Sequence, residues 1–396
     1  MAQGFGMDSN SRRFLLLSVT GLVAACGGSG GQGPVTASNC GVVSGVCTTP
    51  VPPEPAPGTG SESAPAALFE VNTLTTFKGV GGTQQLTEVY TKIENTNPVQ
   101  HTQSELYTAE QSKADTQQVE VSYNPRDAVF TFTIEHEESD AELRFQDPAH
   151  RTDFNPNRQP QTAVPNLPLF NYLESGSASA DSRDIRTFFY QRPGNGTRYV
   201  SLTGFTRNIR DGKLTEDFKI QRVRGAYAFG SQSAAADVPT RGSGTYRGAM
   251  LATMVRNTEL EQSPGVRSRF EWIHGQAQVD VDFAAGSLKT TFDGVVQTAG
   301  EEFEGDPFGT YNNPLPAATF RATGTATFDT SRVTYAGSIS QATIGPDAVS
   351  IAASSLDGTF YGPTAIETGG AFRIVGSIPD QRVDIIGGFA GARPSQ

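Results

Sequence analysis

From about residue 244 to the C-terminus, apolar and polar side chains alternate with a period of two. Ala277, Val279, Val281 and Phe283 fall on one side, Gln278, Asp280 and Asp282 on the other. After Ala284-Ala285-Gly286, Leu288 and Phe292 stand opposite Lys289 and Asp293. Phe320, Ala322, Gly324, Ala326 and Phe328 alternate with Arg321, Thr323, Thr325 and Thr327, and Val333, Tyr335, Gly337 and Ile339 follow. Gly370, Phe372, Ile374 and Gly376 alternate with Ala371, Arg373 and Val375, and Val383, Ile385, Gly387 and Phe389 form the last run. This is the period of a β-strand, and strict alternation predicts one buried and one wet face. Brief turns between the runs predict an antiparallel meander. About eight such strands make a small up-and-down barrel whose side chains fill its interior. A sandwich is the main rival, and a membrane barrel a third, against which the charged outer positions count.

The preceding region is also β-rich, so the fold class is all-β. Arg186, Phe188 and Tyr190, then Tyr199, Ser201 and Thr203, read as a hairpin around Pro193-Gly194-Asn195-Gly196. Phe218 to Val223 and Ala226 to Phe229 read as further strand. Val119, Val121 and Tyr123, with Val129, Phe130, Phe132 and Ile134, suggest an earlier pair. From His150 to Gly176 the chain is rich in Pro and Asn and lacks periodicity, which predicts a long loop. Long loops inside compact domains often carry function. Phe154, Leu167, Leu169, Phe170 and Tyr172 give this one apolar content.

The N-terminus follows a different pattern. Arg12 and Arg13 precede a short apolar run, Phe14 to Leu22, far below the ~20 residues that span a bilayer. Small residues and a cysteine follow, Val23-Ala24-Ala25-Cys26. This order fits a cleavable signal peptide and resembles a bacterial lipobox, in which Cys26 is acylated and becomes the new N-terminus. Each buried CH₂ contributes about 0.8 kcal/mol, so several acyl chains anchor firmly. Gly27 after the cysteine resembles the signal that sorts a lipoprotein to the outer membrane. Residues 26–66 are then a tether of Gly, Ser, Thr and Pro that cannot offset its chain entropy by burial. Cys40 and Cys47 lie within it, and an oxidising compartment makes them a candidate disulfide.

Composition narrows the chemistry. The formal net charge of −11 disfavours nonspecific nucleic-acid binding. The four histidines, His101, His136, His150 and His274, have no ligand-type spacing. The acidic run around His136 lacks the spacing of a calcium loop. Phosphate-loop and G-x-S-x-G patterns are absent, so the reading is of a binding protein and not an enzyme. No metal site and no resident cofactor are expected; haem enters only as a candidate ligand.

Gly358 to Phe372 reads GTFYGPTAIETGGAF. It resembles the signature of the transferrin-binding protein B family, F-x-G-P-x-A-x-E-x-G-G-x-F, which joins two late strands of an eight-stranded barrel. Phe229-Gly230 followed by Val238 to Gly248 resembles that family's passage from handle domain into barrel, and Ile386 to Arg393 its closing strand. With the N-terminal pattern read as a signal peptide at 1–25 and a lipidated tether at 26–66, the resemblance implies a handle at 67–238 and a barrel at 239–396. The family's best-known member has two lobes, whereas this chain has room for one. The implied function is an outer-membrane lipoprotein that binds a protein or an iron- or haem-bearing ligand for a TonB-dependent transporter. The partners would be that transporter and a host or environmental iron or haem protein. The alternative is an envelope or adhesion lipoprotein with no nutrient role. Glu367 in the signature reads either as a ligand contact or as a polar anchor of the turn. Candidate ligand residues are the loop aromatics Phe303, Phe308 and Tyr311, between the third and fourth barrel strands, and Phe154, Phe170 and Tyr172 upstream.

Overall fold

The computed structural model describes residues 67–114, 119–134, 141–146, 164–167, 169–179, 181–257, 268–298, 317–328 and 333–394. Two antiparallel sheets, one after the other in the chain, account for its strands.

The first sheet holds β1 (Thr75–Ile93), β2 (Gln100–Gln111), β3 (Val119–Asn124), β4 (Val129–Ile134), β5 (Ala141–Gln146), β6 (Phe170–Ala178), β7 (Ser182–Gln191), β8 (Val200–Asp211) and β9 (Phe218–Gly230). Their order is β5-β4-β3-β1-β9-β8-β7-β6, with β2 as a second neighbour of β1. The sheet curls until β5 and β6 approach each other, forming a nearly closed, barrel-like handle. Its interior is aromatic. Phe130 lies 4.8 Å from Tyr123, 5.0 Å from Tyr190 and 5.8 Å from Phe188, and Phe132 lies 5.2 Å from Tyr227, centroid to centroid. Such pairs each contribute about 0.5–1.5 kcal/mol beyond area burial. β1 is long enough to serve two neighbours on one edge. Thr75–Gly79 pairs with β3, and Gly82–Ile93 pairs with β2. The second half of β1 and β2 therefore form a wing beyond the closed part of the handle.

The second sheet holds β10 (Ser243–Asn257), β11 (Ser268–Asp282), β12 (Ser287–Thr298), β13 (Ala318–Phe328), β14 (Thr334–Ile344), the two-residue β15 (Asp347–Ala348), β16 (Ser350–Tyr361), β17 (Glu367–Ile378) and β18 (Gln381–Ala392). Consecutive long strands pair, β13 pairs with β14, and β18 returns to β10, so eight strands close into a barrel. The expected alternation sets its inner face. Ala277, Val279, Val281, Phe283, Leu288, Phe292, Phe320, Ala322, Ala326 and Phe328 are all buried in one core. Phe292 stacks on Phe372 at 4.5 Å and meets Phe389 at 5.3 Å. The apolar face lies inside, the reverse of a membrane barrel. The β14–β16 ladder runs only from Thr334 to Gly337. Beyond it the Ser354 hydroxyl takes over, accepting from the Ile339 N–H at 3.2 Å and donating to the Ile339 carbonyl at 2.8 Å.

Two expectations are corrected. The stretch from His150 to Gly176 is not loop throughout, because Phe170–Ala178 is strand β6, paired along β7. Its periodicity is hidden because Phe170 and Tyr172 pack on one face and Leu173 enters the handle core on the other. The outer face of the barrel is also not wet all round. Ala371, Ile386, Gly388 and Ala390, on the outer sides of β17 and β18, are buried because the handle lies against them. The two sheets meet face to face, and both faces of these strands are interior.

Candidate ligand-binding end of the lobe

The barrel has two unlike ends. At one, β11 turns into β12 through 283–286, and β16 turns into β17 through the signature. At the other, β10 and β11 are joined by residues 258–267, and β12 and β13 by 299–317. The antiparallel up-and-down order places both of these longer connections at the same end.

The signature turn is built by hydrogen bonds. Gly362 has φ of 72°, a conformation that favours glycine, and a Cβ there would lie 2.5 Å from the Tyr199 ring. Thr364 and Ala365 also have positive φ, 55° and 52°. The Tyr246 hydroxyl donates to the Ala365 carbonyl at 2.6 Å, and the Arg393 guanidinium donates to the same carbonyl at 3.0 Å. Burial pushes the Tyr246 hydroxyl up to about 12, so it stays a donor. Ser233, on the link between the sheets, donates its hydroxyl to the Gly362 carbonyl at 2.6 Å. These contacts hold Glu367, which is 3% exposed, against the handle. Its carboxylate accepts three consecutive backbone N–H groups, from Arg198 at 2.5 Å, Tyr199 at 2.7 Å and Val200 at 2.9 Å. Burial raises the carboxyl above its ordinary range, and the three amides work against that rise. Of the two roles read for Glu367, the structure shows the anchor: it clasps the handle hairpin to the barrel.

From this clasp the handle–barrel interface changes character along its length. Nearest the clasp it is small and apolar. Gly369 approaches Val200 and Ala228, Gly388 approaches the Tyr227 backbone, and Ala371 and Ala390 fill the same cluster. Small residues let the two backbones come close. Farther along, Trp272 is buried with its ring 5.5 Å from Phe189, edge to face. Toward the other end polar contacts join an apolar cluster of Leu86, Val255 and Phe270 with Tyr107. Arg224, 1% exposed, lies over the Phe270 ring at 4.7 Å and Trp272 at 5.6 Å. Gln84 donates to the Asp384 carbonyl at 2.8 Å and to the Tyr107 hydroxyl at 3.0 Å. Burial, and the Asp384 carboxylate beside it, push the Tyr107 hydroxyl up. Arg373 grips Asp384 with two bonds of 3.1 and 2.7 Å and donates to the Ala109 carbonyl at 3.3 Å. Glu105 accepts the Ser268 N–H at 3.2 Å, where β11 begins. The wing thus reaches the end of the barrel that bears the longer connections.

The outer side of the wing is open. Val89, Ile93 and Leu106 are 43%, 37% and 61% exposed, and the β1–β2 register sets them on one sheet face. Gln85, Thr87, Thr91, Gln100, Thr102, Ser104 and Thr108 surround them on that face, with Glu110 at its inner end. On its opposite face the wing buries an ion pair, Arg222 with Glu88, whose side chains are 5% and 2% exposed. The mouth of the barrel at this end also holds an inward pair, Arg256 to Glu271 at 2.8 Å.

Of the residues singled out in the sequence, Phe170 and Tyr172 fall at the handle–barrel cluster. Tyr172 stacks on Phe189 at 5.3 Å, accepts the Leu167 N–H at 2.8 Å and donates to the Pro165 carbonyl at 2.5 Å. Burial pushes its hydroxyl up to about 12. These contacts pin it to the scaffold. His101 contacts the Glu216 carbonyl at 2.8 Å, and His274 pairs with Gln297 at 3.2 Å. Phe154, Phe303, Phe308, Tyr311, His136, His150, Cys26, Cys40 and Cys47 lie outside the described residues. Among the described residues, no group of three or more His, Cys, Asp or Glu is placed to hold a metal ion. Sequence reasoning missed the wing and the Arg224–Trp272 contact. The lone tryptophan was the one available signal, since a ring that large on a nominally wet face calls for a cover.

Residues 238–393 match the family model described as C-lobe and N-lobe beta barrels of Tf-binding protein B. No curated protein matches the chain in sequence. Among solved structures, a Trp-to-Ala variant of the vaccine antigen transferrin-binding protein B from Haemophilus parasuis shares 13% identity, with 81% of this chain and 77% of that one covered and a TM-score of 0.29. Isotype 1 transferrin-binding protein B from serogroup B Neisseria meningitidis shares 12%, covering 82% and 66%, with a TM-score of 0.28.

Proposed function

We propose that this chain, whose residues 238–393 match the barrel model of transferrin-binding protein B, is a lipid-anchored capture protein of the outer membrane. It is held through Cys26 and tethered by residues 26–66. It binds a protein or an iron- or haem-bearing ligand and delivers it to a TonB-dependent transporter. The observation that carries this reading is the asymmetry of the lobe. One end is sewn shut by the signature turn and Glu367. The other carries both longer barrel connections beside a wing with three exposed aliphatic side chains. A barrel filled by its own rings leaves recognition to loops and to the handle surface. The loop with Phe303, Phe308 and Tyr311 is the proposed contact, since aromatic rings bury large areas at modest entropic cost.

Two experiments test the reading. Cys26→Ser should move the protein from the membrane to the soluble fraction and abolish palmitate labelling. A mutant that still pellets with label would refute the anchor. The full chain should be used as bait for haem, haemoproteins and iron-carrier proteins. Phe308→Ser and Tyr311→Ser should then lose capture with unchanged melting. Capture of none of these ligand classes would favour the envelope or adhesion role.

A further inference from the structure

We propose that the clasp end of the lobe is a docking surface for anionic lipid headgroups. The lobe stands on this end, with the wing and the longer barrel connections turned away from the membrane. The proposal rests on the lipid-anchor reading for the presence of a membrane, and it adds the protein surface that meets it.

Two observations carry it. The first is where the chain enters the lobe. Leu68, 2% exposed, donates its backbone N–H to the Arg198 carbonyl at 2.9 Å. Arg198 belongs to the hairpin that Glu367 holds, and its guanidinium donates to Glu70 at 2.8 and 3.2 Å. Phe69 lies 5.0 Å from Tyr123 and 5.2 Å from Phe130, packed against the handle core at this end. Residues 26–66 therefore join the folded body at the clasp end and not beside the wing.

The second is the division of charge between the two ends. The clasp end carries Arg126 on the β3–β4 turn, Arg192 and Arg198 on the β7–β8 hairpin, Arg241 on the link between the sheets and Arg393 after β18. All but Arg393 are exposed. Among the described residues, the same segments and the lead-in to β1 set Glu70, Asp127 and Asp237 against them. At the opposite end, the turns of β1–β2, β6–β7, β8–β9 and β17–β18 carry Glu94, Asp181, Glu216, Asp217 and Asp380, all exposed, against Lys213. Five arginines thus outnumber three carboxylates at one end, and five carboxylates outnumber one lysine at the other.

A formal net charge of −11 makes an anionic surface repel the chain taken as a whole, so the approach depends on which end leads. Beside such a surface the groups within a Debye length, ~8 Å at physiological salt, dominate. With the clasp end down these groups are mainly arginines, and a guanidinium matches the paired oxygens of a phosphate. The carboxylates of the far turns then lie at the other end of the strands, beyond the screening length. With the wing end down those carboxylates would meet the headgroups and be repelled. Point of entry and polarity of charge select the same end, which leaves the wing and the longer connections facing outward.

The test reconstitutes the acylated chain into vesicles of phosphatidylcholine, with and without phosphatidylglycerol, carrying an acceptor dye on the lipid headgroups. Cys40 and Cys47 are replaced by serine, and a donor dye is attached through Ala285→Cys at the clasp end or Leu106→Cys on the wing, both exposed positions. With phosphatidylglycerol present, energy transfer from the Ala285→Cys chain should be at least about twice that from the Leu106→Cys chain. That ratio should fall toward its phosphatidylcholine value at about 1 M salt, where the screening length is ~3 Å. It should fall likewise when Arg126→Ser, Arg192→Ser and Arg241→Ser are combined, with Trp272 fluorescence melts confirming the fold. Equal transfer from the two positions, or a ratio that neither salt nor the arginine substitutions change, would overturn the proposal. A chain that floats with neither kind of vesicle refutes the lipid anchor instead. The unacylated Cys26→Ser chain then reads the surface alone: it should sediment with phosphatidylglycerol vesicles at least about tenfold more strongly than its triple-arginine variant. Equal sedimentation of the two, or none, would overturn the proposal in that case as well.

Discussion

Ala371 separates what the alternation implies from what the tertiary structure imposes. By pattern it belongs with Thr325, on the polar side of a barrel strand. In the fold it is 0% exposed, beneath the handle, while Thr325 is exposed. Its partner in β18 is Gly388, where an added Cβ would lie 3.0–3.2 Å from the Tyr227 backbone. Ala371→Asp adds a carboxylate where two backbones already touch. Overpacking alone costs about 1–3 kcal/mol. The unpaired buried carboxylate adds several kcal/mol before relaxation. A loss of about 4 kcal/mol is expected, a large share of the ~5–15 kcal/mol that usually holds a folded domain. Thr325→Asp should stay within about ±0.5 kcal/mol. The chain has one tryptophan, Trp272, buried in the same interface, so its fluorescence reports the contact directly. With a urea slope of about 3 kcal/mol/M, 4 kcal/mol moves the midpoint down by about 1.3 M. If the two variants shift the Trp272 transition equally, the handle does not cover this face in solution.

Phe372→Ala removes a ring stacked on Phe292 and should cost about 3–5 kcal/mol in urea unfolding, with Thr325→Ala near zero; equal midpoints would mean that the faces are misassigned. Glu88→Ala strips the carboxylate from buried Arg222 and should destabilise by about 3–5 kcal/mol in the same assay; an unchanged midpoint would show that the pair is solvated. Burial opposes ionisation of Asp184, but its bonds to Arg207 and Arg186 outweigh that and hold its carboxyl below the usual range. The folded state therefore gains stability from this group above the unfolded carboxyl's pKa, and loses it as pH falls through the lower, folded value. Melting scans should show a smaller acid-induced drop in Asp184→Asn than in the native chain below about pH 4; identical profiles would remove Asp184 from the pH dependence.

The inner face of the barrel was legible because a period of two is a direct image of a strand with one apolar neighbour layer. Ala277 to Phe283 and Phe320 to Phe328 needed nothing more. The signature at 358–372 was legible as a turn, since Gly362, Pro363, Gly369 and Gly370 restrict the backbone locally. Three things were not. β1 has polar side chains, Thr83, Gln84, Thr87 and Glu88, at buried positions, so its hydrophobic pattern does not mark its burial. Three of them bond residues far away in sequence, Thr83 to Tyr227, Gln84 to Asp384 and Glu88 to Arg222. The outer face of β17 and β18 looked wet because alanine and glycine carry no sign of what covers them. Only the docked handle makes Ala371, Gly388 and Ala390 interior. Glu367 could be read as contact or anchor from sequence, and the choice required its three partners, which lie nearly 170 residues upstream. Local periodicity is written in neighbouring residues, so the sequence by itself determined the barrel strands and their inward faces. A second sheet laid against the first is a long-range event, and only the tertiary structure decided which outward faces are buried and what the signature glutamate holds.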